Sequence, residues 1–408
     1  MKKDEQFRIY IAIILFFIVI PAIVSVYAYE AYLGLARSQP YDPVSRQREA
    51  AAEAGRAFDD RTKLELLDHV RQQGTPLIPY VSPGILMYRP DAYESSMFRA
   101  LDEGVFPLGG VANRQTVYCR ERGDWIIYAT DEHGFRNPPG LWDLTSTPAV
   151  LVVGDSYGAG ACVSDDEMIV APIRAAFPRT INLSTAGATA EIYMAAIREY
   201  GPVIKPRVTV ILFYGGNDTP NEKFQFHPYL SRYLDPEYTQ GLYHRQSEID
   251  AALLKFLEIE EGKQRALGDD NRIYDRPFRF IDVVLLRNTR TTLGWVVFDS
   301  PGPGYDALEE MFITMHRDIA GWGGKGLLVY LPSYNELNTK RLDRRDQVLA
   351  LARDAGFGVL DATKLIEEIR LKYAFYFPES HYRAAVYRAI GAEIIAQIAT
   401  TRGVIGSD

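Results

Sequence analysis

From about residue 148 onward the chain alternates short apolar, β-branched runs with stretches of helical periodicity, and this alternation constrains its fold more than any other feature. Strands are expected at 149–153, 180–183, 208–214, 326–331 and 357–360. Helices are expected between and after them, at 165–177, 191–200, 305–322, 347–355 and 393–400. The 305–322 segment shows the period clearly, with Leu308, Phe312, Met315, Ile319 and Trp322 three or four positions apart. Strands separated by helices form a parallel sheet covered on both faces.

Sheets of that kind carry their sites at the carboxyl ends of the strands. The first strand runs Leu151-Val152-Val153 and stops in Gly154-Asp155-Ser156-Tyr157-Gly158-Ala159-Gly160. The second ends in Ser184-Thr185-Ala186-Gly187 and the third in Gly215-Gly216-Asn217-Asp218. After the fifth strand comes Tyr376-Phe377-Pro378-Glu379-Ser380-His381. A serine at a strand edge can act as a nucleophile when a histidine reaches it and hydrogen-bond donors surround it. Taken alone, Gly154-Asp155-Ser156 could be an ordinary strand-to-helix turn. The glycine spacing matches neither G-x-G-x-x-G nor G-x-x-x-x-G-K-S/T, which argues against a nucleotide, and no cofactor is expected.

In this order, the four blocks resemble the SGNH/GDSL hydrolase family of esterases and acyltransferases, over about residues 148–400. The first and third blocks match closely; a glycine such as Gly187 after a strand is common by itself. The last block departs from the family's Asp-x-x-His, because position 378 is proline. The resemblance implies a three-layer α/β/α, flavodoxin-like parallel sheet. It implies Ser156 as nucleophile, His381 as base, and an oxyanion hole from the Ser156 N–H, the Gly187 N–H and the Asn217 amide. Glu379, two positions before His381, resembles the Asp-x-His of polysaccharide O-acetyltransferase branches with Glu in place of Asp, and is the expected acid. The Pro378 carbonyl is the alternative partner for the imidazole. Asp361 is a distant alternative for the acid, expected rather to be structural at a strand end, and Asp155 is expected to shape the turn beside the nucleophile.

The N-terminus adds a second constraint. Residues 9–28, IYIAIILFFIVIPAIVSVYA, carry no charge, and about 20 helical residues cross a bilayer core. Lys2, Lys3 and Arg8 precede them, which favours a cytoplasmic N-terminus and an extracytoplasmic, periplasmic-side remainder. The expectation is an uncleaved signal anchor at 1–30, since a signal peptide has a shorter apolar core and Val26-Tyr27-Ala28 is a weak cleavage site. A juxtamembrane stalk and accessory region is expected at 31–145, with helices near 49–58 and 64–71 and a strand at 125–129. The catalytic domain is expected at 146–405, interrupted by an insertion at 219–304 read as a helical lid.

Other features narrow the function. A net charge of −8 disfavours nucleic acid as a partner. Cys119 and Cys162 fit no metal motif, and a disulfide or two buried thiols are both open. His69, His133, His227, His244 and His316 show no metal spacing. The turn Gly134-Phe135-Arg136-Asn137 is expected to pack on the catalytic domain. Tyrosines, 26 against 19 phenylalanines, are expected chiefly in the core. The resulting expectation is a membrane-anchored esterase or O-acyltransferase, acting on acyl groups, acetyl for preference, of a saccharide or other ester. A transferase would require a membrane partner to supply its acyl donor. The competing reading is a non-catalytic binding or assembly component of an envelope polysaccharide system.

Overall fold

The computed structural model describes residues 3–37, 43–84, 98, 104–143, 150–218, 226–266, 286, 289, 303–378 and 380–402. The chain divides into two compact units, Met1–Ser45 with Asp270–Ser300 and Arg46–Asp269 with Pro301–Asp408. In the first unit the helix Lys3–Ile14 passes through a π-helical turn, Leu15–Val19, into the helix Ile20–Arg37. The Ile20 N–H bonds to the Leu15 carbonyl, the wider π register, and Pro21, which has no N–H to offer, follows at once. Within Phe7–Leu33 an 18-residue stretch has a mean hydropathy of 3.0 and none of that stretch is buried, so this helix is long and apolar enough to cross a membrane.

The second unit is organised by a five-stranded, wholly parallel sheet. Numbering all strands of the unit in chain order, it contains β4 (Val150–Gly154), β5 (Thr180–Asn182), β6 (Val208–Tyr214), β7 (Lys325–Leu331) and β8 (Gly358–Asp361), arranged β5-β4-β6-β7-β8. This is the flavodoxin-like order 2-1-3-4-5, whose switch point lies between the first and third strands, here β4 and β6. Every residue of β4 is buried, and alternation sends Leu151 and Val153 to one face and Val150 and Val152 to the other. The helices Ala190–Ile204, Pro303–Gly321 and Asp343–Asp354 cover the first face. The helices Val170–Ala176, Thr363–Ile369 and Ala384–Arg402 cover the second. Leu308, Phe312, Met315 and Ile319 are all fully buried, as their spacing predicted. Tyrosine does serve the core: Tyr193, Tyr200, Tyr233, Tyr330, Tyr382 and Tyr387 are among the largest fully buried side chains.

Residues 46–143 do not form a free-standing stalk. Their described parts fold within the same compact unit as the parallel sheet. They carry a small sheet of β1 (Leu77–Pro79), β2 (Gln115–Val117) and β3 (Ile127–Ala129), with β1 parallel and β3 antiparallel to β2. The helix Lys63–Gln72 starts in a capping box: the Glu65 N–H donates to the Thr62 hydroxyl and the Thr62 N–H to the Glu65 carboxylate. The Gly134–Asn137 turn packs on the sheet domain, as expected. Asn137 caps the open edge of β5, donating to the Asn182 carbonyl at 2.9 Å and accepting the Asn182 N–H at 2.9 Å.

The described part of the 219–304 insertion is a packed element rather than a lid. Helix Gln246–Ala266 buries Ile249, Leu253 and Phe256 in the apolar cluster on one face of the sheet. The preceding segment wraps the buried Glu199, whose carboxylate accepts from the Tyr233 hydroxyl at 2.6 Å and the Leu242 N–H at 2.8 Å.

Candidate active site

The loop after β4 is built to present Ser156. Asp155 Oδ1 accepts the Tyr157 N–H at 2.9 Å and its carbonyl accepts the Ala159 N–H at 2.9 Å, closing a tight turn around the serine. Gly158 is required there, since a Cβ would come 2.3 Å from the Ser184 hydroxyl. Arg136, buried at 4% exposure, donates to the carbonyls of Gly160 at 2.8 Å and Val163 at 2.9 Å and pairs with Asp165 at 2.7 Å. Its guanidinium also lies over the Tyr128 ring. The buried Tyr157 ring stacks with Tyr214, 4.2 Å between centroids, and meets the His381 ring at 5.0 Å.

His381 is delivered by a closed turn just before the helix Ala384–Arg402. The Ser380 hydroxyl donates to the Phe377 carbonyl at 2.7 Å and accepts the Phe377 N–H at 2.9 Å, and Phe375 bridges to Tyr382. The turn brings His381 Nε2 to 2.9 Å from Ser156 Oγ. On the other side of the ring, Nδ1 is 2.9 Å from Glu121 Oε1, and the His381 backbone N–H donates to Glu121 Oε2 at 2.9 Å. A carboxylate only accepts, so Nδ1 carries the proton and Nε2 is left to accept the serine hydroxyl. Burial works against the imidazolium, but the charge and hydrogen bond of Glu121, with the charge of Asp155, outweigh it and raise the His381 pKa above 6.5. Burial raises Glu121, but its interactions with His381 dominate and leave its pKa below 4.5.

The three expected oxyanion donors surround the switch point. Among the described residues, the N–H groups of Ser156 and Gly187 and the side-chain amide of Asn217 have no hydrogen-bond partner. Asn217 is exposed beyond β6, while its neighbour Asp218 is buried and accepts from the Tyr193 hydroxyl at 2.6 Å and the Tyr214 N–H at 2.7 Å. That anchor fixes the turn from which Asn217 projects. Asp155 and Asp218 are both buried; desolvation raises both pKa values, and the charge of Asp155 raises Asp218 further. Gly187 takes φ +70°, the left-handed region that glycine enters freely. Its loop is braced from the small-sheet region, where the Tyr80 hydroxyl accepts the Ala186 N–H at 2.7 Å and Gly84 abuts Gly187.

The structure thus brings Ser156 and His381 together and leaves Gly187 and Asn217 free to donate. Glu379 lies outside the described residues. The Nδ1 position for which it was expected is taken by Glu121, and the Pro378 carbonyl is not the partner. Nothing local marks Glu121, which lies in the polar run Arg120-Glu121-Arg122-Gly123-Asp124, far from any of the four blocks. The cysteines held the usable signal. Cys119 and Cys162 form a disulfide, Cα atoms 5.4 Å apart, which ties the residue two before Glu121 to the loop six after Ser156. Asp361 accepts the Thr363 N–H at 2.9 Å and lies 3.3 Å from Arg345, a strand-end role. His133 stacks on Tyr243 and packs at a tilt against Trp142, and burial lowers its pKa to about 4. Glu121, Cys162 and His381 present ligand atoms within 4.8 Å of one another, but the disulfide denies the sulfur the thiolate character that metal binding needs.

No family model matches the chain, and no curated protein is similar to it by sequence. Among solved structures it is similar to TesA at 14% identity, covering 61% of this chain and 97% of that one, with a TM-score of 0.36. It is similar to the lipase/acylhydrolase from Enterococcus faecalis at 16% identity, over 61% and 95% of the two chains, TM-score 0.34. A variant of Axe2, an acetyl xylan esterase from Geobacillus stearothermophilus, gives 15% identity over 62% and 95%, TM-score 0.33. The protein is an α/β protein with a five-stranded parallel sheet and a Ser–His pair at the switch point of that sheet.

Proposed function

We propose that this chain is a serine ester hydrolase of the SGNH/GDSL type. The observation that carries the reading is the 2.9 Å contact between Ser156 Oγ and His381 Nε2 at the carboxyl edge of β4. In this reading Oγ attacks the ester carbonyl carbon while its proton passes to Nε2. The carbonyl oxygen becomes an oxyanion and accepts from the Ser156 N–H, the Gly187 N–H and the Asn217 amide. The tetrahedral intermediate collapses as Nε2 returns the proton to the leaving alkoxide, which departs as an alcohol. Water then attacks the acyl-serine, His381 again takes and returns the proton, and a carboxylic acid and free Ser156 result. A sugar hydroxyl in place of water would make the same site an O-acyltransferase.

The finer reading is an enzyme anchored through residues 9–28 with its site outside the cytoplasm, removing or moving small acyl groups on a saccharide. The exposed apolar helix and the lysines and arginine before it support the anchor and its direction. The disulfide supports an oxidising compartment. The saccharide rests on analogy with bacterial members of the family that the motifs resemble. A preformed serine–histidine contact beside three unpaired donors favours an enzyme over a non-catalytic assembly component. The test uses the full chain in detergent micelles with an activated acetyl ester. Turnover should vanish in Ser156→Ala and His381→Ala, and a serine-reactive phosphonate should label Ser156. Equal rates in wild type and Ser156→Ala would refute the reading.

A further inference from the structure

We infer that Glu121 is the residue that orients and polarises His381, and that the small sheet carrying it is a working part of the catalytic site, held there by the Cys119–Cys162 disulfide. The inference rests on the esterase reading above and goes beyond it, because the acid comes from a region 260 residues away in sequence from the histidine it serves.

The contact is made at two points. One carboxylate oxygen faces Nδ1 and the other takes the backbone N–H of the same residue, each at 2.9 Å. A single contact would leave the ring free to rotate; this pair sets both the ring and the chain that bears it. Only one imidazole tautomer satisfies the arrangement, the one with its lone pair on Nε2 toward Ser156.

A glutamate has three rotatable bonds, and holding it in one conformation costs rotamer entropy. The chain around it is correspondingly fastened. Glu121 sits at the tip of a hairpin between β2 and β3, where the Gly123 N–H donates to the Arg120 carbonyl at 3.0 Å and the Ile126 N–H to the Cys119 carbonyl at 2.9 Å. Arg120 donates to the carbonyls of Asp59 at 2.7 Å and Arg61 at 2.6 Å, between the rings of Phe58 and Trp125. Arg122 donates to Glu167 at 2.7 Å. Cys119 is bonded to Cys162, which joins the hairpin covalently to the Ser156 loop, and the Cys162 carbonyl accepts the Tyr376 hydroxyl at 3.2 Å, a hydrogen bond to the segment that leads into the His381 turn. Among the described residues, the ionisable groups besides Glu121 that face His381 are Asp155 and the phenol of Tyr157; Arg383 is turned away to the Phe375 carbonyl.

The test measures kcat/KM against pH for the full chain in detergent micelles. It compares wild type, Glu121→Gln, Glu121→Asp, Cys119→Ser/Cys162→Ser and the triple variant with Glu121→Gln. Glu121→Gln should lower kcat/KM by about 10²–10⁴-fold and move its acidic limb to lower pH, since the carboxylate that raises the His381 pKa is gone. Glu121→Asp keeps the charge one methylene short and should recover part of the rate. It also decides the matter should the glutamine variant fail to fold: wild-type rate and limb in Glu121→Asp would count against the assignment. Removing the disulfide should cost rate in the wild-type background and little more in Glu121→Gln, because both changes act on the same contact. A folded Glu121→Gln within twofold of wild type, its acidic limb unmoved, would overturn the positioning role. An equal factor for the disulfide in both backgrounds would overturn the clamp. Failure of the esterase reading looks different: wild type itself would show no turnover and no phosphonate on Ser156.

Discussion

Gly84 offers a sharp test of whether the Gly187 loop is an oxyanion donor held in place by the small-sheet region. A Cβ added at Gly84 would lie 2.6 Å from the Gly187 carbonyl oxygen, 2.8 Å from its carbonyl carbon and 2.9 Å from its Cα. All three are backbone atoms, so no flexible side chain can swing aside. Reaching ordinary contact near 3.4 Å requires the two segments to separate by about 0.8 Å, the difference between 3.4 and 2.6. An N–H···O bond of about 2.9 Å stretched by that amount is no longer a hydrogen bond. Losing one oxyanion donor costs about 10²–10³ in turnover, equivalent to ~3–4 kcal/mol of transition-state stabilisation. Overpacking costs about 1–3 kcal/mol of fold stability, which leaves a large domain folded at room temperature. Gly84→Ala should therefore lower kcat on an activated acetyl ester at least tenfold, with a small fall in melting temperature and slower phosphonate labelling of Ser156. A folded variant with kcat within twofold of wild type would refute the reasoning, either because Gly187 does not donate or because the brace does not set its position.

Asn217→Ala should lower kcat by about 10²–10³ with the melting temperature unchanged, because the side chain is exposed and unpaired; a stability loss without a rate loss would make it structural. The acidic limb of kcat/KM should fall above pH 6.5, since the reaction needs neutral His381 and its pKa is raised; a limb at or below 6.5 would contradict the ion pair. The same pair has a stability signature. The raised His381 contributes stability below pH 6.5 that is lost as pH rises through its folded pKa, and the lowered Glu121 contributes stability above pH 4.5 that is lost on acidification. Its stabilisation is thus greatest between those values, and chemical denaturation across pH should show that maximum flattened in Glu121→Gln. Arg136→Leu should destabilise the fold by about 3 kcal/mol or more, because it orphans the buried carbonyls of Gly160 and Val163; an unchanged denaturation midpoint would show that the loop does not depend on it.

The strands of the parallel sheet were legible because their apolar runs are local and buried on both faces. Of the helices, those after β5 and β6 and before β8 were found near their observed bounds, while Thr363–Ile369 was not read from the sequence. The segment expected at 393–400 is the end of a helix that begins at Ala384, immediately after the His381 turn. Its first half mixes Arg388 with Val386 and Ile390, so the periodicity is weaker there than at the apolar end. The small sheet was harder to read because its strands are three residues each, too short for period-two alternation to register.

The sequence by itself determined the parallel α/β architecture, the apolar N-terminal helix and the strand ends that carry Ser156, Gly187 and Asn217, whereas His381 was expected only from the resemblance of the four blocks to a known family. The architecture and the strand ends follow from local rules: hydrophobic period and glycine at tight turns. Only the tertiary structure decided which carboxylate faces His381, that Cys119 and Cys162 pair, and that residues expected as a stalk are packed into the unit that holds the parallel sheet. The physical reason is that a hydrogen bond needs two groups within about 3 Å in space. Sequence separation says nothing about that distance once a hairpin 260 residues from the histidine is folded against it.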